Sequence, residues 1–189
     1  MTKLFETGEP QDITAVLESK DARVAFQKQL VADYPDASIL AVKLNIPGPI
    51  KNNDQLHRGF NHGLLSLIQT LQAGDADVKL VAQWDKPTGN EAFLTVARPL
   101  EAVKRQAAAF EDQDAFGRLF DVDVFGHGQA TALSRTKLGL PVRKCFICGR
   151  PAKECARSRR HSVSELQAVI QQVFDQEFKG EAGTVNDDE

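Results

Sequence analysis

Gly117-Arg118-Leu119-Phe120-Asp121-Val122-Asp123-Val124-Phe125 is a strongly apolar run that carries two carboxylates two residues apart. A period of two is the signature of a β-strand, in which alternate side chains share a face. Leu119, Asp121, Asp123 and Phe125 then point one way, and Phe120, Val122 and Val124 point the other way into a core. That geometry sets the two acids side by side, about 6–7 Å apart at Cα. Paired carboxylates so placed can hold a divalent cation against a phosphate. The plainer alternative, on spacing alone, is an edge strand with two solvated acids.

Outward from this strand, the chain alternates strand-like and helix-like patterns. Upstream, Asp12 can cap a helix over 13–18, and a second helical stretch runs over 22–34, with a break near Ser19-Lys20-Asp21 and a stop at Pro35. Val24, Leu30 and Val31 supply its apolar face. Residues 38–46 read as a strand, with Leu40, Val42, Leu44 and Ile46 alternating against Ala41, Lys43 and Asn45. Pro47-Gly48-Pro49 forces a turn, and Asn52 or Asn53 caps a helix over 54–72 with Leu56, Phe60, Leu64, Leu67, Ile68 and Leu71 on one face. Gly59 and Gly63 cost that helix propensity, so close packing is expected there.

Two strands over 78–84 and 92–97 are joined through Asp85-Lys86-Pro87-Thr88-Gly89-Asn90, and Pro99 opens a helix to about Glu111. After the Asp121/Asp123 strand, Gly126-His127-Gly128 turns and 130–134 returns as a hairpin strand. A last helix begins at Ser162, whose spacing to Glu165 is a capping box. The sum is about 4–5 strands and about 4 helices, hairpins outnumbering crossovers. This predicts an α+β fold with a mixed or antiparallel sheet. No glycine-rich dinucleotide or P-loop fingerprint is present.

The chain's 189 residues suit one domain, taken as 1–179, followed by an acidic tail over 180–189 that is expected to be disordered. Net charge is −3, which argues against a nucleic-acid-binding polycation. No stretch has the apolar length of a membrane span and the N-terminus has no apolar signal core, so a cytoplasmic protein is expected.

Two further constellations carry chemistry. Cys145, Cys148 and Cys155, with His161 beyond, have knuckle spacing suited to a structural Zn²⁺; the alternative is three small reduced cysteines beside a turn. From Arg135 to Arg160 there are nine Lys/Arg against one acid, Glu154. Arg135, Arg143 and Arg157 can clamp phosphate bidentately, or the segment can be a solvated face or a docking surface for an acidic protein. Arg58 and His62 are neighbours on one helix face, a weaker signal for a catalytic role than for a structural one.

Several motifs together resemble one family. They are Pro47-Gly48-Pro49-Ile50-Lys51 with Arg58 and Phe60-Asn61-His62-Gly63; Gly117 through Val124; Leu133-Ser134-Arg135; and Leu140-Pro141 with Arg143-Lys144-Cys145 and Cys148, continuing to Cys155-Ala156-Arg157 and His161. In order and spacing, over residues 12–175, they resemble the citrate lyase holo-acyl-carrier-protein synthases, or apo-citrate lyase phosphoribosyl-dephospho-CoA transferases. The resemblance implies a nucleotidyltransferase-like enzyme. Its donor would be 2′-(5″-triphosphoribosyl)-3′-dephospho-CoA and its acceptor a serine of the acyl carrier protein, the γ subunit of citrate lyase, with pyrophosphate leaving.

With that reaction in view, Asp121 and Asp123 are the expected Mg²⁺ ligands, with Arg118 and His62 placed beside them as catalytic candidates. Lys51, Arg58, Asn61, Arg135 and Arg143 are the expected donor-binding residues, and the N-terminus of the 54–72 helix is a further phosphate site. Asp121 is a candidate for taking the serine proton, and Glu91 or Glu111 for a third metal carboxylate. Two rival readings stay open: a non-catalytic zinc-knuckle module that binds nucleic acid or an acidic partner, and the same transfer onto another lyase's carrier.

Overall fold

The computed structural model describes residues 3–73, 75–126 and 131–179. His127, Gly128 and Ala130 of the expected turn and return strand, and the 180–189 tail, lie outside the described residues.

Helix α1 (Ile13–Asp33) starts at Asp12, whose carboxylate accepts the Ala15 N–H at 2.8 Å. It is one helix, not two. Ser19, Lys20 and Asp21 only weakly disfavour helix and include no Pro or Gly; Ser19 is also anchored by the Thr88 hydroxyl at 2.9 Å. The strands among the described residues are β1 (Ser38–Leu44), β2 (Val78–Lys86), β3 (Gly89–Val96) and β4 (Phe120–Phe125). They form one antiparallel sheet in the order β2-β3-β1-β4. The β2–β3 hairpin closes more tightly than expected, because Asp85 pairs with Asn90 and Lys86 with Gly89. Gly89, at φ 130°, supplies the conformation that this turn needs.

The described part of the expected return strand, residues 131–134, is not a strand; its one ladder-like contact is Leu133 N–H to the Val124 carbonyl at 2.8 Å. Side chains of α3 (Leu100–Gln113) protect the β4 edge instead. Glu111 accepts the Val122 N–H at 2.6 Å and Lys104 donates to the Val122 carbonyl at 2.8 Å. An acid and an amine thus stand in for a neighbouring strand.

Phe120, Val122 and Val124 face the main core, together with Leu40, Val42, Ala92, Leu94 and Val96. Helices α2 (Asp54–Gln72), α3 and α5 (Val163–Glu177) cover this face. A Cβ on Gly63 would lie 2.2 Å from the Phe120 ring, and one on Gly59 2.4 Å from Phe174. These two glycines are there for packing. The other sheet face carries Ile39, Ala41 and Phe93 and is covered by α1. Val24 does not join that contact and is 36% exposed; Phe26, Leu30 and Val31 make it. Phe26 sits edge-on to Phe93, with ring centroids 4.8 Å apart. A fifth helix, α4 (Ala152–Arg157), lies inside the cysteine segment.

Candidate functional site

The register fixes what shares a face with Asp121 and Asp123. Lys43 on β1 lies opposite Asp121 on β4 and opposite Glu91 on β3, while Ala41 lies opposite Asp123. A charged row therefore crosses the sheet on the α1 side. The Lys43 ammonium sits 2.6 Å from Asp121 Oδ2 and 3.3 Å from Asp123 Oδ2. Ala41 adds no bulk beside it. Arg143 donates to Asp121 Oδ1 at 3.2 Å and to the carbonyls of Arg118 and Phe120 at 2.7 Å each. From α1, Arg23 reaches Glu91 Oε1 at 2.6 Å.

These contacts set the proton affinities. Burial pushes the Asp121 carboxyl up, but Lys43 and then Arg143 more than offset it and hold it below its ordinary value. Burial likewise pulls Lys43 down, and Asp121 and Asp123 more than compensate, so its ammonium is held above the ordinary lysine value. Asp121 is thus a firmly ionised carboxylate and a weak base. Glu91 is buried, yet its Oε2 has no hydrogen-bond partner. Glu111 has one oxygen on the Val122 N–H, with Arg143 Nη1 3.7 Å from it, and the other on Arg135. Of the two candidate third acids, Glu91 shares the sheet face of Asp121 and Asp123 across Lys43, and Glu111 approaches Asp121 through the Arg143 guanidinium between them.

The structure distributes the other expected residues more widely. Arg135 is buried and locked to Glu111 and to Asp112, the latter at 2.7 Å. Arg118 donates to the carbonyls of Lys144 and Cys145 at 3.0 and 3.2 Å and lies over the Phe146 ring. Lys51 staples the Pro-Gly-Pro turn by donating to the Ile46 carbonyl at 2.6 Å, and burial lowers its pKa.

Arg58, Asn61 and His62 lie on α2, whose apolar stripe packs on the opposite sheet face. Arg58 covers the Phe178 ring, His62 pairs with Glu177 at 2.9 Å, and Asn61 bridges His57 and Gln83. The α2 N-terminus is capped by Asn53, whose amide also donates to the Leu4 and Thr7 carbonyls, so the start of the chain covers it.

Lys43 and Arg23 were not among the expected site residues. Lys43 had a signal, since it holds a polar position in the alternating 38–46 strand. Arg23 had none, because its role depends on how α1 crosses the sheet.

The second centre is the cysteine lobe. Cys145 N–H donates to the Arg150 carbonyl at 2.7 Å, closing a tight knuckle in which Gly149 takes φ 68°. Helix α4 then returns Cys155, and the Arg160 N–H bonds the Cys155 carbonyl at 3.1 Å to bring His161 round. The ligand atoms of Cys145, Cys148, Cys155 and His161 all lie within 4.8 Å of one another. His161 Nε2 is buried without a hydrogen-bond partner. His161 and its neighbours pull the Cys148 thiol down to about 6, while the contact with Cys148 pushes Cys155 up to about 11. Crowded thiols that cannot all ionise alone, beside an orphaned imidazole nitrogen, fit a tetrahedral Cys₃His zinc site.

The two centres are joined. Arg143, two residues before Cys145, holds Asp121; Arg118, two residues before β4, holds the knuckle carbonyls. Among the described residues, no helix is long and apolar enough to cross a membrane.

Comparison with known proteins covers both centres. The profile of the apo-citrate lyase phosphoribosyl-dephospho-CoA transferase family matches residues 11–177. A probable apo-citrate lyase phosphoribosyl-dephospho-CoA transferase of Streptococcus pyogenes serotype M18 is 36% identical, over 90% of this chain and 88% of its own. The Citrobacter koseri apo-citrate lyase phosphoribosyl-dephospho-CoA transferase is 32% identical over 82% of this chain and 83% of its own. Protein CitXG of Leuconostoc mesenteroides subsp. cremoris is 37% identical over 90% of this chain, a match that spans 36% of that protein. A match of this extent favours the transferase over a stand-alone zinc-knuckle module, and this chain belongs to the apo-citrate lyase phosphoribosyl-dephospho-CoA transferase family.

Proposed function

We propose that the Asp121/Asp123 face carries out the transfer for which the family is named. The 2′-(5″-triphosphoribosyl)-3′-dephospho-CoA donor gives its prosthetic group to a serine of the apo-acyl carrier protein, the γ subunit of citrate lyase. The serine oxygen bonds to the α-phosphorus, the α–β bridging P–O bond breaks, and pyrophosphate leaves. The observation that carries this reading is the pair of co-facial carboxylates gathered round one ammonium, with Arg143 on their flank. Transfer at phosphorus depends on alignment and charge stabilisation more than on covalent catalysis.

The Lys43 ammonium lies where a cation shared by Asp121 and Asp123 belongs, so the pair fits Mg²⁺. Mg²⁺ held there would neutralise triphosphate charge. Lys43 and Arg143 bind donor phosphate oxygens, and Arg23 keeps Glu91 turned toward the same face. Asp123, which the Lys43 ammonium approaches only to 3.3 Å, accepts the serine proton, and Asp121, held by both Lys43 and Arg143, stays ionised. Cys145, Cys148, Cys155 and His161 hold structural Zn²⁺ and fix the loop that carries Arg143. Three unbridged thiols suit a cytoplasmic enzyme.

The test is mass spectrometry of apo-carrier incubated with protein, donor and Mg²⁺. Wild type adds the prosthetic group. Asp121→Asn and Asp123→Asn lose about 10²–10³-fold in rate while retaining the fold. A wild-type rate in either folded variant removes the two-carboxylate site, and modification of a different lyase's carrier in preference would reassign the acceptor.

A further inference from the structure

Apart from Lys137, which is exposed outside the cysteine lobe, the basic segment divides into two populations. Arg135 and Arg143 turn inward and pair with Glu111, Asp112 and Asp121 beside the proposed transfer site. Lys144, Arg150, Lys153, Arg157, Arg159 and Arg160 are exposed on the cysteine lobe, and among the described residues none of their side chains pairs with a carboxylate. The one acid among them is Glu154. Val142 and Ile147 on the same lobe are 50% and 39% exposed.

Like charges crowded together repel, and among the described residues no carboxylate pairs with these six side chains. Their backbone is nevertheless pinned. The four clustered residues of the candidate zinc site interleave with them, and Arg159 is held at φ 45°, a left-handed conformation rare for a non-glycine residue. The array is therefore preorganised, with uncompensated charge facing solvent.

We infer that this exposed basic face of the cysteine lobe docks an acidic surface of the protein that receives the prosthetic group, an inference that rests on the proposed transfer. A triphosphate is small and takes convergent cations such as Lys43 and Arg143. Six cations spread over a knuckle and a helix, with apolar side chains among them, match an extended acidic protein surface. The lobe also abuts the Asp121 end of β4 through Arg118 and Arg143, so a partner seated on it is delivered to the carboxylates. An aromatic stacking platform for single-stranded nucleic acid is missing from the lobe, whose only phenylalanine, Phe146, is half-buried beneath Arg118 and whose one imidazole, His161, is turned into the cysteine cluster.

The experiment is steady-state transfer by the full chain, varying apo-carrier and donor separately, for wild type and Lys153→Glu/Arg160→Glu. The charge reversal raises the carrier KM about 10-fold or more, with donor KM and kcat at saturating carrier within about 2-fold of wild type. Zinc content stays at the wild-type level. In wild type alone, kcat/KM for carrier falls steeply from about 50 to about 300 mM salt. That measurement decides the matter if the variant does not fold, since a salt-independent carrier KM overturns the proposal. An unchanged carrier KM in the variant, a rise in donor KM instead, or tighter wild-type binding to an RNA or DNA oligonucleotide than to apo-carrier also overturns it. Wild type that transfers nothing sinks the transferase reading; wild type that transfers with an insensitive carrier KM sinks only the docking surface.

Discussion

The two faces of β4 are made by the same six residues and do different work. On one face Phe120, Val122 and Val124 are fully buried, and Phe120 packs against the rings of Phe60, Phe110 and Phe116. On the other, Asp121 and Asp123 keep more than a third of their side-chain surface open and are held by Lys43 and Arg143. The difference teaches that one side of the strand supplies rigidity, while the other holds the charged groups to which the proposed transfer is assigned. A carboxylate pair on an unsupported strand would wander. Here the phenylalanine face and the α3 brackets on Val122 fix its position.

Substitutions on alternate residues should therefore separate stability from activity. The largest stability effect is expected for Phe120→Ala, which removes a fully buried ring and costs about 3–5 kcal/mol. Chemical denaturation reads this directly. Activity should fall with the folded fraction alone when assayed below the variant's transition. The Asp121→Asn and Asp123→Asn variants should do the reverse, losing turnover with denaturation midpoints close to wild type. Were Phe120→Ala to lose turnover while fully folded, or Asp123→Asn to unfold, the division between faces would fail.

A smaller effect is expected one layer further in. Gly63→Ala gains helix propensity, but its Cβ would meet the Phe120 ring, which is hemmed in by three others. The clash outweighs the gain, for a net loss of about 1–3 kcal/mol. Pairing it with Phe120→Leu tests the cause, because a shorter side chain at 120 should recover part of the loss.

Most of this organisation was legible in the sequence where a local signal decides it. The period of two in 120–125 reported both faces of β4, a cap at Asn52 or Asn53 with leucine spacing gave α2 its bounds, and Ser162 with Glu165 gave α5 its start. The cysteine spacing brought its four residues together as expected. What was not legible depends on tertiary geometry. The sequence said that Lys43 faces away from the core, but only register puts it opposite Asp121. Arg135 looked like a phosphate ligand because its residue type suits one; α3 happens to present Glu111 and Asp112 to it. Residues 131–134 looked like a return strand, but Glu111 and Lys104 already satisfy the β4 edge there. The choice of a third acid between Glu91 and Glu111 was not legible either, because it depends on strand register for Glu91 and on the Arg143 contact for Glu111.

The smallest effect concerns how the polar face contributes to stability at all. The apolar face contributes by burial and is insensitive to pH; the Lys43–Asp121 contact contributes by charge and is not. Asp121 is depressed below its ordinary 3.8 in the folded protein, so its contribution is fully present above that value and is lost as pH falls through its lower folded value. Lys43 is raised above 10.5, so its contribution is fully present below 10.5 and is lost as pH rises through its higher folded value. Between these limits, Lys43→Met should be less stable than wild type by about 1 kcal/mol, the order expected of a partly exposed ion pair. Below pH 3.8 that difference should shrink, because wild type then loses what the variant never had. Denaturant midpoints of the two proteins across the acid range provide the measurement. A difference that persists undiminished through the acid transition would assign the Lys43 contribution to the packing of its aliphatic stem, making the two faces of the sheet alike in kind.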